Sequence, residues 1–167
     1  MDCTIKDFNN ILSLARGNNI KFSIYVRSLL ELRNVYGAEG TEILKIYLSC
    51  LGFVEYKIKG NDNKTDYRRY VEYNGLVDQD TRKEYQKIYN SDDNMYGKQI
   101  KVILLSQAGS EGINLYNVRQ IHIAEPHWNE ALMEQVIGRG IRRCSHKGLP
   151  PEERVVDIYR GIQDSRP

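Results

Sequence analysis

Gln135, Arg139 and Arg142 are the side chains whose types and spacing promise chemistry in this sequence. They lie in the run Gln135-Val136-Ile137-Gly138-Arg139-Gly140-Ile141-Arg142. On a helix they fall at i, i+4 and i+7 and share one face. A guanidinium donates paired hydrogen bonds to the non-bridging oxygens of a phosphate chain. Such arginines stabilise charge that develops on a transferred phosphoryl group. The bland alternative is a solvated helix face, the ordinary fate of arginines at this spacing. Two glycines argue against it. Gly138 and Gly140 each cost about 1 kcal/mol of helix propensity relative to alanine, which predicts that something approaches the backbone here. Leu132, Val136 and Ile137 are apolar and would tie the same helix to a core.

A second chemistry-bearing segment is Ser106-Gln107-Ala108-Gly109-Ser110-Glu111-Gly112-Ile113-Asn114-Leu115. Small residues let a backbone approach a ligand, and glycines permit angles that other residues resist. The Ser106 hydroxyl and the exposed amides can hold a nucleic-acid phosphate, and Asn114 can reach a ribose hydroxyl. The alternative is a strand-to-helix turn with Ser106 as a cap. A third segment, Glu125-Pro126-His127-Trp128-Asn129-Glu130, joins a strand to a helix, with Asn129 as its cap. Trp128 either stacks on a base or packs against the helix it precedes.

These segments need a scaffold, and hydrophobic periodicity supplies one. Helices are expected over Thr4 to Arg16, Thr41 to Leu51 (stopped by Gly52), Asp80 to Tyr89 with Asp80 as N-cap, and after Asn129. Strands are expected over Lys21 to Arg27, Phe53 to Ile58, Tyr70 to Tyr73, Ile100 to Leu105, Arg119 to Glu125 and Arg154 to Tyr159. Ile100 to Leu105 is almost unbroken in its apolarity, which suits a strand covered on both faces of a parallel sheet. The alternation predicts an α/β layered domain with a mostly parallel central sheet flanked by helices. Ligands bind such sheets at the carboxyl ends of their strands, and the motifs are expected there.

At 167 residues the chain is the size of one domain, and residues 1–167 are read as one. Net charge is only +2, so anion binding must come from local clusters. One is Arg139, Arg142, Arg143 and Lys147, with no acid between Gly138 and Gly148. A weaker one is Lys57, Lys59, Lys64, Arg68 and Arg69, diluted by Asp62 and Asp66. Cys3, Cys50 and Cys144 are odd in number and unpaired in spacing, which favours free thiols in a reducing, intracellular setting. Neither Cys144 with His146 nor His122 with His127 makes a zinc pattern, so no metal site is assigned. No apolar run is long enough to span a bilayer.

In combination, these motifs resemble the C-terminal RecA-like domain of superfamily-two helicases and translocases, over nearly the whole chain. Lys21 to Ser28 with Thr41 to Phe53 is similar to the motif IV region. Ser106 to Leu115 resembles motif V, and Gln135 to Arg142 resembles motif VI in its Gln-x-x-Gly-Arg-x-x-Arg form. Gly112-Ile113-Asn114-Leu115 and Trp128-Asn129 resemble the Swi/Snf-type remodellers. The tail from Ile141 to Lys147 with Leu149 to Arg154 is most similar to the ATPases of large cytoplasmic DNA viruses, nearest the helicase-like subunits of early transcription factors.

The resemblance implies a three-layer RecA-like fold and the second motor lobe of an ATP-dependent helicase or translocase acting in viral transcription. Arg139 and Arg142 would be arginine fingers and Gln135 would orient them or meet the γ-phosphate. Gly112, Asn114 and Gly138 would border the nucleotide, while Ser106, Gln107 and Ser110 would hold nucleic acid, DNA rather than RNA. Val136 departs from the DEAD-box pattern, where arginine is common. No phosphate-cradling Gly-x-x-x-x-Gly-Lys-Ser/Thr and no Asp-Glu box is present. ATP and Mg2+ would therefore be held mainly by an N-terminal RecA-like domain of a longer protein, and the chain by itself would be inactive. Viral polymerase or transcription-factor subunits are the further partners implied, with the host cytoplasm or virion as location and no membrane. The alternative is a non-catalytic helicase-like module that recruits polymerase or promoter DNA. An unrelated α/β enzyme using His122 or His127 as a base would need a nucleophile or metal partner that the sequence does not offer.

Overall fold

The computed structural model describes residues 21–26, 45, 48–49, 52–58, 68–106, 112–123 and 130–160. Its strands are β1 (Lys21–Val26), β2 (Val54–Glu55), β3 (Arg69–Tyr73), β4 (Val102–Ser106), β5 (Val118–Ile123) and β6 (Asp157–Arg160). Two helices are described in full, α1 (Gln79–Tyr89) and α2 (Glu130–Gly140). The strands make one sheet in the order β2-β3-β4-β1-β5-β6, and every pairing is parallel. This is the α/β architecture that the alternation of elements implied.

β4 lies between β3 and β1, and all five of its residues are buried. A strand covered on both faces has no polar side, which is why Val102 to Leu105 carries no alternation. Its Ile103 and Leu105 belong to one core cluster with Val71, Ile113, Leu115, Ile121 and Met133. Parallel neighbours require a connection that returns from the carboxyl end of one strand to the amino end of the next. α1 makes that return between β3 and β4, and α2 makes it between β5 and β6. Residues 112–117, without helix or strand, make the last part of the return from β4 to β5.

Several boundaries differ from the expected ones for identifiable reasons. The N-cap of α1 is Asp78, not Asp80: Asp78 is extended (φ −60°, ψ 155°) and its carboxylate accepts from Thr81 N at 2.9 Å. Asp80 instead sits in the first turn, where a negative charge meets the helix dipole favourably. The strand expected over Phe53 to Ile58 narrows to two residues at the sheet edge. Gly52, at φ +80°, ends the preceding helical stretch, and Phe53 N still donates back to Leu48 O. β6 begins at Asp157, because Pro150 and Pro151 first direct the chain into a short 3-10 turn. The helix expected over Thr4 to Arg16, the Asn129 cap and Trp128 lie outside the described residues.

The segment Ser91 to Gly97 holds a main anchor of the fold. Asn94 is fully buried, and its amide makes four hydrogen bonds. It donates to Tyr89 O and Ile100 O, both at 3.0 Å, and accepts from Gln99 N and Ile100 N. That one side chain fastens the end of α1 to the approach of β4. Beside it, the buried Lys21 ammonium donates to Tyr89 O at 2.7 Å and lies over the Tyr89 ring. Burial pulls its pKa down to about 7.

Candidate functional site

α2 turns Met133, Val136 and Gly140 toward the sheet, at i, i+3 and i+7, and leaves Gln135 exposed and Arg139 half-buried. The two glycines of the helix differ in their surroundings. A Cβ on Gly140 would stand 3.0 Å from Ile121 Cδ1 and 3.6 Å from Val118 Cβ, so β5 itself is what approaches there. A Cβ on Gly138 would meet nothing within 4 Å among the described residues. Val136 is 8% exposed and packs in the core, which explains why this position carries no arginine.

The helix stops at Gly140, so Arg142 lies beyond it and does not share the regular helical face expected of it. The last carbonyls of α2 explain the stop. Ile137 O accepts from Ile141 N, Gly138 O from Arg142 Nε at 3.3 Å, and Arg139 O from Leu115 N at 3.0 Å. Ser145 Oγ stands 3.4 Å from Gly140 O. Arg142 is folded back along the helix end by its own Nε and remains exposed. Its two terminal nitrogens, and the whole Arg139 guanidinium, have no hydrogen-bond or ion-pair partner among the described residues.

The Leu115–Arg139 bond joins the two motifs that the sequence singled out separately. Around it, residues 114–118 are held from both sides. Asn114 O accepts from Asn90 Nδ2 at 2.8 Å and Gln86 Nε2 at 3.3 Å, and Tyr116 N donates to Asn90 Oδ1. Asn117 N donates to Ser145 O, and His146 Nε2 lies 2.6 Å from Val118 O. Gly112 is exposed at φ +77°, a backbone that favours glycine. Asn114 is half-buried, and its Oδ1 is enclosed without a partner among the described residues.

This geometry overturns the expectation that all the motifs gather at the carboxyl ends of the strands. Gly140 packs on Val118, the first residue of β5, and Val118 pairs with Lys21, the first residue of β1. Arg139, Arg142 and Asn114 therefore sit at the amino end of the sheet. Ser106 is the last residue of β4, at the carboxyl end, and is 7% exposed. Motif order along the chain could not show this. A helix that follows a parallel strand runs back, and carries its last residues to the opposite edge. Gln135 lies one turn up α2 from Arg139. Gln107 and Ser110 are outside the described residues.

Of the other sequence-marked groups, His122 and Arg69 fall away from this cluster, and Cys144 stays in the turn that follows Arg142. His122 is 2% exposed, stacks on Tyr159 at 4.7 Å, and is held near pKa 4 by burial. Arg69 begins β3, its guanidinium 5.9 Å from the Tyr56 ring centre. Cys144 is a free, exposed thiol. Gln86, Asn90, Asn94 and Ser145 were missed as site-building residues. Asn90 could be read locally as a helix end, but nothing near it signals a partner 24 residues on.

Residues 40–144 match the helicase conserved C-terminal domain family. The chain belongs to that family. The helicase C-terminal domain is 41% identical, over 84% of its length, to a protein of Acanthamoeba polyphaga mimivirus that carries the name ATP-dependent RNA helicase R350. It is 37% identical over 72% of its length to nucleoside triphosphatase I of Melanoplus sanguinipes entomopoxvirus. To a termination factor NPH-I homolog of African swine fever virus it is 42% identical over 54%. The viral likeness of the sequence is thus shared with proteins named for helicase, triphosphatase and termination roles. The chain spans less than a fifth of each relative: 17%, 16% and 13%. Its fold is RecA-like: it matches the C-terminal part of the Fun30 ATPase domain with a TM-score of 0.64 at 18% identity, over 97% of this chain and 41% of that one.

Proposed function

We propose that this domain is the second motor lobe of an ATP-dependent nucleic-acid translocase that works in viral transcription. Arg139 and Arg142 serve as arginine fingers toward ATP bound on a first RecA-like lobe, with Gln135 orienting them and Gly112, Asn114 and Gly138 bordering the nucleotide. Ser106, Gln107 and Ser110 contact the nucleic-acid backbone. The observation that carries this reading is the position of the arginine pair, with unpartnered guanidinium nitrogens, at the amino end of a parallel sheet. A ligand held by this sheet itself would lie at the opposite edge. Fingers at the amino end suit a nucleotide presented by another lobe.

The residues fit one side of a polyphosphate. Two guanidinium groups supply donors, and the open space over Gly138 leaves room for close approach. No group of three His, Cys, Asp or Glu that could hold a metal occurs among the described residues, so the carboxylates for Mg2+ are assigned to the first lobe. Closure brings the guanidinium groups against the phosphates, and hydrolysis releases them, stepping nucleic acid across both lobes.

The test is ATP hydrolysis by the full-length protein with Arg139→Ala and Arg142→Ala. Each change is expected to lower kcat about a thousandfold, as loss of an arginine finger does. Unchanged turnover in both variants would favour a recruiting module instead. Stimulation by single-stranded DNA beyond that by RNA is expected, and the reverse order would assign the domain to RNA.

A further inference from the structure

Arg142 lies outside the helix, so something else must hold it, and two neighbouring residues do. Ser145 Oγ accepts from Arg142 N at 3.2 Å, while Arg142 O accepts from Ser145 N at 3.0 Å. Both peptide groups of Arg142 are thereby fixed. The turn they close passes through Cys144 at φ +70°, a backbone that L side chains adopt only when their surroundings enforce it. Ser145 is in turn held by His146, whose Nδ1 is 2.8 Å from Ser145 Oγ and whose Nε2 is 2.6 Å from Val118 O. A carbonyl only accepts, so Nε2 carries a proton and donates to it. The one Ser145 hydroxyl proton has Arg142 O and, in the neutral ring, His146 Nδ1 within reach, each at 2.8 Å, and the Oγ lone pairs are left for Arg142 N. Both residues are buried, at 4% and 9% exposure. A second tie, Asn117 N to Ser145 O, joins the same turn to the approach of β5.

We propose that Ser145 and His146 are positioning residues for Arg142: a hydrogen-bonded chain from β5 through His146 and Ser145 sets the main chain from which that arginine reaches the nucleotide. The proposal rests on the arginine-finger reading above. It goes beyond it by naming what makes one finger rigid. A finger works by being in place before charge develops, so slack in its main chain lowers turnover more than nucleotide affinity.

The experiment is a double-mutant cycle in the full-length protein, with kcat and KM for ATP read at saturating nucleic acid and the melting temperature recorded for each variant. Ser145→Ala is expected to lower kcat roughly tenfold and to change KM by less than about twofold. In an Arg142→Ala background the same change should cost nothing more, because the two act as a unit. His146→Gln can keep a donor toward Val118 O but has no atom at the Nδ1 position to meet Ser145 Oγ, so it should lower kcat several-fold and also lose its effect without Arg142. This variant carries the test if Ser145→Ala fails to fold. If each change costs the same factor with and without Arg142, their role is structural only and the positioning proposal is overturned. If Arg142→Ala itself leaves kcat unaltered, the finger reading falls, and the positioning proposal with it.

Discussion

Gly138 and Gly140 stand two residues apart on one helix, Gly140 against β5 and Gly138 with nothing against it among the described residues. Alanine at 138 meets open space and should stabilise the fold by up to about 1 kcal/mol through helix propensity. Alanine at 140 presses on Ile121 and should cost about 1 kcal/mol net of the same propensity gain. Chemical denaturation of the two variants would show opposite signs. Contact with β5 thus accounts for Gly140, nothing among the described residues accounts for Gly138, and sequence alone could not separate the two. If Gly138 borders the nucleotide, Gly138→Ala should also slow ATP turnover in the full-length protein while the fold becomes more stable. Unimpaired turnover would remove Gly138 from the site. His122 gives a pH test. Its folded pKa, about 4, lies below the ordinary 6.5, so between those values the unfolded chain binds the extra proton. Stability should then rise with pH across that window and fall as pH drops toward 4, by up to about 1.4 kcal/mol per unit. In His122→Phe, which keeps a ring against Tyr159, that slope should flatten when melting is followed from pH 4 to 6.5.

At the scale of elements, the helices are legible in the sequence but their attachments are not. The period of Asp80 to Tyr89 predicted α1 to within a residue or two, because amphipathic spacing and an acidic start are local properties. Its attachments use Asn90 and Asn94, which read locally as ordinary polar residues of a helix end and a loop. Asn94→Ala would take a partner from four backbone groups, of which Tyr89 O keeps Lys21 Nζ, and should destabilise the domain by about 3 kcal/mol. Thermal melting measures it, and a loss below about 1 kcal/mol would mean that water replaces the amide. α2 shows the converse limit. Its residues continue a helical pattern through Ile141 and Arg142, yet it ends at Gly140. Leu115 N takes the Arg139 carbonyl, and the chain turns into the Ser145–His146 clamp. A helix end set by a residue 24 positions away has no local signature.

At the scale of the whole molecule, the arginine pair and the Ser106 strand end lie at opposite edges of one parallel sheet. On the proposed reading, a domain arranged in this way would offer groups to a nucleotide at one end of the sheet and to nucleic acid at the other. The chain of residues 1–167 by itself is accordingly expected to hydrolyse no ATP. Magnesium-dependent turnover by the purified chain that disappears with Arg139→Ala would contradict that expectation. What the sequence determined by itself was the class of the fold and the family to which the chain belongs. Buried parallel strands announce themselves as apolar runs, and phosphate-binding chemistry draws on few residue types. What only the tertiary structure decided was the edge at which each motif lies, the end of α2 and the hydrogen bonds that hold Arg142. Those depend on where the chain returns after each strand and on carbonyls satisfied by distant donors. Such relations arise between elements, and no spacing within an element encodes them.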